Sequence, residues 1–412
     1  MKCRFCATTL DDPLLDNVFV DLGTAPPSNA FLSQDALSRP ELHFPLKLHT
    51  CPRCLLVQVD EVQAHGELFA PNYAYFSSYS ASWLAHAERY VERAATRLDL
   101  DKYSLVVEIA SNDGYLLQYV RARGISCVGI EPTAGTAAVA RSRDIDTIIE
   151  FFGHAFARRF VEERRRADLI VANNVLAHVP DLNDFVAGMA ELLAPQGVIT
   201  VEFPHLQQLV AQRQFDTIYH EHFSYFSLHA VRTVFAAHGL RVWDVETLPT
   251  HGGSLRVWAA HDGAARSETP AVSALFAEEK AAGMLGLDYY RGFQAAADAV
   301  KNGLLAFLLD QQRSGLRVAG YGAAAKGNTL LNYAGVRRDL LPYVVDASPH
   351  KQGRYLPGSR IPVVAEQHLR DDRPDIVLIL PWNLREEIAG QLGYIREWGG
   401  RLATAVPTMM VS

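Results

Sequence analysis

Three ionisable side chains and a phenol stand in four consecutive positions, Tyr219-His220-Glu221-His222, within an aromatic run that continues through Phe223, Tyr225 and Phe226. Imidazole is suited to proton abstraction near neutral pH. Aromatic walls lower the dielectric around such a ring, and an adjacent carboxylate can orient it. The spacing is not that of H-E-x-x-H, so a zinc peptidase is ruled out. The plain alternative is a histidine pair that packs a junction between domains.

A second stretch, Val106-Val107-Glu108-Ile109-Ala110-Ser111-Asn112-Asp113-Gly114, reads as a strand, a sharp turn and a helix start. Open α/β sheets bind ligands at such turns, beyond the carboxyl ends of their strands. The next strand closes in Gly129-Ile130-Glu131-Pro132, and an acid there can accept both hydroxyl protons of a ribose while disfavouring a ribose phosphate. Glu108 and Glu131 at the ends of successive strands resemble the pattern of class I S-adenosylmethionine methyltransferases. Glu108, Ala110, Asn112, Asp113, Gly114 and Glu131 are then the cofactor-binding candidates. The fuller G-x-G-x-x-G of NAD-binding folds is absent. Ala110 departs from the methyltransferase pattern, where a glycine is usual, and is expected to reshape the methionine pocket. An acid that only caps a helix is the alternative. Asn173-Asn174-Val175-Leu176-Ala177-His178 follows another strand on the same side. Asn173 is a candidate for the cofactor amino acid or the substrate, and His178 for the substrate or for a helix cap.

Val318-Ala319-Gly320-Tyr321-Gly322-Ala323-Ala324-Ala325-Lys326 repeats the strand-turn-helix theme. Backbone amides at a helix N-terminus bind phosphate, and Lys326 adds a charge. The spacing is not that of a Walker loop. Asp346 ends the following strand, with Lys351 beyond it. Gly322, Lys326, Asp346 and Lys351 are expected to form a platform for a nucleotide diphosphate; a nucleotide-like unit kept for packing is the alternative. Four cysteines stand in two C-x-x-C pairs, Cys3/Cys6 and Cys51/Cys54. Four thiolates suit a tetrahedral structural zinc. A dithiol redox pair needs only one C-x-x-C, and nothing indicates the oxidising setting that disulfides require. Cys127 lies in a strand-like run and is expected to pack in the core.

These residues need elements to hold them. Residues 1 to about 60 read as loops and short strands around the cysteines, and 82–98 as a helix. Apolar strands alternating with amphipathic helices then imply a parallel, doubly wound sheet. A long helical stretch, roughly 269–313, leads to a second α/β unit. The fold expected is α/β, in four parts: a small zinc-binding module (1–70), a Rossmann-like class I methyltransferase domain (71–265), a helical connector (266–314) and a second Rossmann-like domain (315–412). At 412 residues the chain can support several cores, and a net charge of −7 argues against a general nucleic-acid binder. The opening Met1-Lys2-Cys3-Arg4 has no apolar signal region, and no long apolar run suggests a membrane span. A cytoplasmic protein is expected.

Taken in order, the motifs resemble the three-domain, zinc-containing sugar C-methyltransferases that act on nucleotide-linked 4-keto-6-deoxy sugars. The likeness rests on the paired cysteines, Tyr75-Phe76-Ser77-Ser78, the Glu108 turn, the Tyr219 to Phe223 run, His251-Gly252-Gly253, the Gly320 loop and Asp346-Ala347-Ser348-Pro349-His350-Lys351-Gln352, so it covers nearly the whole chain. It implies an S-adenosylmethionine-dependent enzyme with structural zinc. The substrate would be a keto-sugar nucleotide, with dTDP as the expected carrier. A base removes the proton beside the ketone, and the carbon is then methylated. By the same resemblance His222 is the base, Tyr219 and Tyr75 orient the sugar or stabilise the oxyanion, Glu221 and His178 match active-site positions, and Ser78 touches substrate. His220 departs from some relatives and receives no catalytic role. Two rivals stand beside this reading. One is a methyltransferase for another acceptor, a sugar oxygen or nitrogen or a non-sugar ketone. The other is a non-catalytic, zinc-stabilised binding protein on a methyltransferase fold. The oligomeric state is not legible in the sequence.

Overall fold

The computed structural model describes residues 1–12, 14–62 and 76–412. Strands β1 (Val18–Ala25), β2 (Phe44–Thr50) and β3 (Val57–Val59) pair antiparallel in that order. Cys51 and Cys54 occupy the turn between β2 and β3, so the hairpin itself delivers one C-x-x-C pair.

The second sheet starts with β4 (Leu105–Ile109), β5 (Ser126–Ile130), β6 (Thr147–Ile148), β7 (Ala167–Asn173) and β8 (Leu193–Pro204). Every residue of β4 is buried, as expected of a strand with both faces covered. The Ala81–Arg97 helix covers part of one face. It buries Ala87, Tyr90, Val91, Ala94 and Ala95, a helical stripe, and Ser80 caps it by accepting from the Trp83 amide (3.2 Å). β9 (Ser224–Tyr225) then leaves this sheet and pairs with β3, setting Val57 opposite Tyr225 and Gln58 opposite Ser224. β10 (Leu240–Leu248) and β11 (Ser254–His261) return and complete the order β10-β11-β8-β7-β4-β5-β6. The wholly parallel sheet expected from the sequence is thus extended by antiparallel pairs, β10 with β11 and β11 with β8. The turn at 249–253 is too short for a crossover, so only antiparallel pairing is open to the strands it joins.

The helical stretch breaks into Pro270–Ala281, Asp288–Arg291 and Phe293–Arg313, the first ending before Gly283 at φ 89°. The third sheet holds β12 (Val318–Tyr321), β13 (Val344–Val345), β14 (Val363–Val364), β15 (Ile376–Ile379), β16 (Arg401–Thr404) and β17 (Met410–Val411), in the order β14-β13-β12-β15-β16-β17. Only the β16–β17 pair is antiparallel there. In both larger sheets the strand order reverses beside a glycine- or acid-bearing turn: β4 sits between β5 and β7, and β12 between β13 and β15. Crevices for ligands form at such switch points.

The N-terminal strands do not make a detached module. One apolar cluster runs from Phe19, Val20, Leu46 and Leu48 through Phe215 and Ile218 to Leu330, Leu331 and Val344. The first and third sheets therefore share a core that passes under the histidine-bearing loop. Among the described residues no helix is long and apolar enough to cross a membrane.

Candidate active site

The four cysteine sulfurs lie within 4.8 Å of one another, with Cys6 and Cys51 3.4 Å apart and Cys3 and Cys54 3.5 Å apart. Thiolates about 2.3 Å from a tetrahedral zinc are roughly 3.8 Å from each other, so the cluster fits that ion. Gln58, on β3, donates to Cys3 Sγ (3.3 Å), an outer contact of the kind that orients a metal ligand. Four closed sulfur donors would hold structure and leave no open position for chemistry.

The turn after β4 is built from left-handed residues: Ala110 at φ 56°, Asn112 at φ 50° and Gly114 at φ 77°. Ala110 pays for lacking a glycine here with about 1–2 kcal/mol of backbone strain. Glu131, at the end of β5, holds the turn from below. Its carboxylate accepts from the Asn112 amide (2.9 Å) and from the Thr133 amide (2.9 Å) and hydroxyl. From above, the Asn112 side chain accepts from the Ser77 amide (2.9 Å), while Asp113 accepts from the Ser78 amide (3.3 Å) and hydroxyl. Arg143 reaches Ser78 Oγ (3.1 Å) and the Asp113 carbonyl (2.9 Å). Ser78 is therefore placed against the cofactor turn and steadies it. Burial pushes the Glu108 carboxyl well above its ordinary range, against an opposing hydrogen bond from Tyr115, and burial also raises Glu131. Asp113 Oδ1, Asn173 Oδ1 and both side-chain polar atoms of Asn174 are buried without a partner among the described residues. Unsatisfied polar atoms in this turn and at the end of the neighbouring β7 fit a polar ligand such as S-adenosylmethionine, with Glu108, Asn173 and Glu131 as the groups that would hold it.

Across the cleft, β7 runs into the Leu176–His178 turn, and the Phe223 amide donates to the Ala177 carbonyl (2.7 Å), which sets the two histidine segments side by side. His222 Nδ1 lies 2.9 Å from the Thr217 carbonyl. A carbonyl only accepts, so Nδ1 carries the proton, and the Nε2 lone pair of the neutral ring accepts from the Tyr219 hydroxyl (2.8 Å). His178 packs edge-on to His222 at 4.6 Å between centroids and donates from Nδ1 to the Glu221 carbonyl (2.8 Å). Burial first, then the facing His178, holds the His222 pKa well below its ordinary value, so the ring starts neutral. Burial pushes Glu221 up to about 7, against two hydrogen bonds from Asn29 Nδ2 (2.8 and 2.9 Å). His220 turns away to the Pro45 carbonyl (3.1 Å) and the Phe44 ring.

The third sheet meets this cleft through Lys326. Its Nζ donates to Asn383 Oδ1 (2.8 Å) and lies 4.9 Å from the centre of the Trp382 ring, and Trp382 Nε1 donates to Asp216 Oδ2 (2.7 Å). Burial lowers Lys326 to about 8 although Asp216 opposes this, and burial raises Asp216 to about 6 although Lys326 opposes that. Thr329, one helical turn beyond Lys326, donates to the Ile218 carbonyl (2.8 Å), so the helix that carries Lys326 abuts the Tyr219–His222 segment. The other platform residues are engaged within their own loop. Asp346 accepts from the Ala323 amide (2.8 Å) and the Ser348 amide (2.8 Å), and Lys351 donates to the Ala323 carbonyl (2.9 Å) and to Asp346 (3.3 Å). Gly322, at φ 88°, leaves room for Pro381, whose Cδ would stand 2.4 Å from a Cβ.

Tyr75 lies outside the described residues. Sequence reasoning passed over Asn29, Asp216, Trp382 and Asn383. Asn29 gives no local signal, because its partner Glu221 is 192 positions away. Trp382 and Asn383 come just after Leu380-Pro381 at the end of β15, so their place at a sheet's carboxyl edge was a readable hint.

Buried acids at the ends of β4 and β5, in a sheet that also leads to His222 hydrogen-bonded to Tyr219, fit the centre of an S-adenosylmethionine methyltransferase. Comparison with known proteins narrows the class. The chain matches a putative zinc binding domain over residues 3–69, a methyltransferase domain over 81–245 and a C-methyltransferase C-terminal domain over 249–407. It is 36% identical over 406 residues to the C-methyltransferase NovU of Streptomyces niveus, covering 98% of this chain and 95% of that one. A ubiquinone biosynthesis O-methyltransferase of Rhodopseudomonas palustris is 26% identical over 113 residues, 27% of this chain and 45% of its own. Among solved structures, a magnesium protoporphyrin IX methyltransferase of Synechocystis with bound SAM is 12% identical, covers 43% of this chain and 81% of its own, and superposes with a TM-score of 0.33. The chain belongs to the C-methyltransferase family with an N-terminal zinc-binding domain, and it is an S-adenosylmethionine-dependent C-methyltransferase.

Proposed function

We propose that the acceptor is a 4-keto-deoxy sugar carried on a nucleoside diphosphate, dTDP by the resemblance above, methylated in the cytoplasm at a carbon next to its ketone. The observation that carries this reading is the meeting of the Ala325–Tyr333 helix, whose first turn bears Lys326 and whose Thr329 hydroxyl donates to the Ile218 carbonyl (2.8 Å), with the segment that holds the Tyr219–His222 pair. A nucleotide held on the third sheet would present its sugar to a base on the other side of the cleft. In this reading residues 1–70 brace the histidine loop, 71–265 hold cofactor and base, 266–314 connect, and 315–412 hold the nucleotide.

The reaction needs a base for a weakly acidic C–H bond. His222 is that base, reached through Tyr219. The Tyr219 oxygen takes the carbon-bound proton as its own proton passes to His222 Nε2. The C–H electron pair becomes the C=C bond of an enolate, and the carbonyl π pair moves onto oxygen. The Thr217 carbonyl, bonded to Nδ1–H, steadies the imidazolium that results. S-adenosylmethionine, when bound, supplies an electrophilic methyl group to the enolate carbon. Glu221 and His178 keep the dyad in place through the His178–Glu221 contact.

The test is mass spectrometry of a keto-sugar nucleotide panel incubated with labelled cofactor, with NMR of the product. A single label on a carbon beside the ketone, which re-forms as the carbon is methylated, is expected. Label on oxygen or nitrogen, or on none of the panel, would overturn the acceptor assignment. In deuterated water with a cofactor analogue that cannot transfer, the wild type should exchange that carbon's proton. His222→Ala and Tyr219→Phe should each lose exchange and turnover by about 100-fold or more. Full turnover in Tyr219→Phe would mean that His222 takes the proton directly.

A further inference from the structure

The turn joining β10 to β11 holds His251 at φ 55° and ψ 18°, a left-handed conformation that is costly for a residue with a Cβ. The turn is held from several sides. Thr250 Oγ1 donates to Glu202 Oε1 (2.9 Å), Gln214 Nε2 donates to the Gly252 carbonyl (2.7 Å) and the His205 amide donates to the Gly253 carbonyl (3.0 Å). Glu202 is itself fixed by Arg256 (2.5 Å), buried as it is, and by the half-buried His86 (2.9 Å). On the other side Trp382 presses against Gly252, where an added Cβ would stand 2.5 Å from its ring. The backbone is thus over-determined, yet the side chain it presents makes no hydrogen bond to any described residue, and Nε2 is buried.

The surroundings say what this nitrogen faces. The His251 ring packs 5.3 Å from Trp83, and Trp83 packs 6.0 Å from Tyr115 of the cofactor turn. On the other side Trp382, which presses on the adjoining Gly252, lies 4.9 Å from Lys326 Nζ. The His251 turn therefore stands between the cofactor turn and the nucleotide-side lysine. Three other ionisable groups of the cleft are already engaged: Lys326 by Asn383, Glu221 by Asn29, and His222 by Tyr219 and Thr217. Burial lowers His251 to about 4, so it is neutral beside the lysine. A neutral imidazole retains an N–H that it can offer to an oxygen gaining negative charge.

Building on the keto acceptor argued above, we infer that His251 is a further catalytic residue, donating from Nε2 to the ketone oxygen of the acceptor and strengthening that bond as the enolate forms. No proton is transferred at this atom. The pair arriving on oxygen is stabilised in place while Tyr219 and His222 carry the proton away.

The test uses the full-length enzyme. His251→Gly removes the ring and relieves the backbone, and His251→Asn keeps a residue that tolerates the conformation. Both should fold with a melting temperature no lower than wild type and bind cofactor within about threefold. Both should lose kcat, and deuterium exchange at the carbon beside the ketone, by about 100-fold, the loss usual for a missing oxyanion donor. KM for the acceptor should change far less. A folded His251→Gly enzyme with turnover within about threefold of wild type would overturn the inference, because the turn would then need only a left-handed residue. Equal loss of cofactor binding would overturn it as well, in favour of a cofactor contact. Failure of the wild type on every keto-sugar nucleotide would instead remove the acceptor reading on which this inference stands.

Discussion

At the scale of single residues, the cleft is assembled from groups whose ordinary ionisation has been shifted by burial. Glu221 shows the energetic consequence. Its carboxyl has an ordinary value of 4.5 and is pushed up to about 7 in the folded protein. Between those pH values the folded chain binds more protons than the unfolded one, so this residue lowers stability as pH rises through that window. The loss amounts to about 3 kcal/mol at most. Glu221→Gln keeps the shape and removes the titration. Its denaturation midpoint should gain on wild type steadily from pH 4.5 to 7 and run parallel above that. Parallel curves throughout would show that Glu221 ionises normally.

At the scale of elements, the short strand β9 matters most. It begins just after Phe223, the residue that follows His222, and pairs not with its own sheet but with β3, the strand that leaves the Cys51/Cys54 turn. Arg4, between Cys3 and Cys6, reinforces the join by donating to the Val59 carbonyl (2.6 Å) and lying 4.8 Å from the Phe223 ring centre. The sulfur cluster is thus joined to the histidine loop through two hydrogen-bonded strands. Purified protein should carry about one zinc per chain, and Cys51→Ser should abolish it and cost at least about 2 kcal/mol of stability. Elemental analysis and thermal denaturation check both. Turnover per folded molecule should fall only where the histidine loop loosens. Freshly purified protein without stoichiometric metal would overturn the zinc assignment.

At the scale of the whole molecule, the two larger sheets meet at Trp382, which touches Asp216, Lys326 and Gly252 at once. Two binding platforms hinged on one side chain imply separable effects. Trp382→Ala should raise KM for the acceptor by about tenfold or more and leave cofactor affinity unchanged, because the cofactor turn draws its contacts from β4, β5 and residues 77–78. Titration calorimetry with cofactor beside steady-state kinetics separates the two. A collapse of cofactor affinity would mean that the roles of the sheets are reversed.

The sequence by itself determined the elements and their chemical labels. Leu105–Ile109 and Ser126–Ile130 are apolar runs of strand length, and the acids that close them fall at strand ends by the same count that defines the strands. The paired cysteines carry their spacing in the chain. Periodicity also made the 269–313 stretch helical, but it did not weigh Gly283 and Gly286, where the helix breaks. Only the tertiary structure decided that β9 joins the first sheet and that β10 and β11 turn antiparallel onto β8. It likewise decided that Asn29 holds Glu221, and that Lys326 pairs with Asn383 beside the Trp382 ring. The reason is physical. Strand and helix formation follow from neighbours a few positions apart, whereas the state of a buried imidazole depends on which groups from remote segments are desolvated with it. Those partners are chosen by packing of the whole core, and no local pattern encodes them.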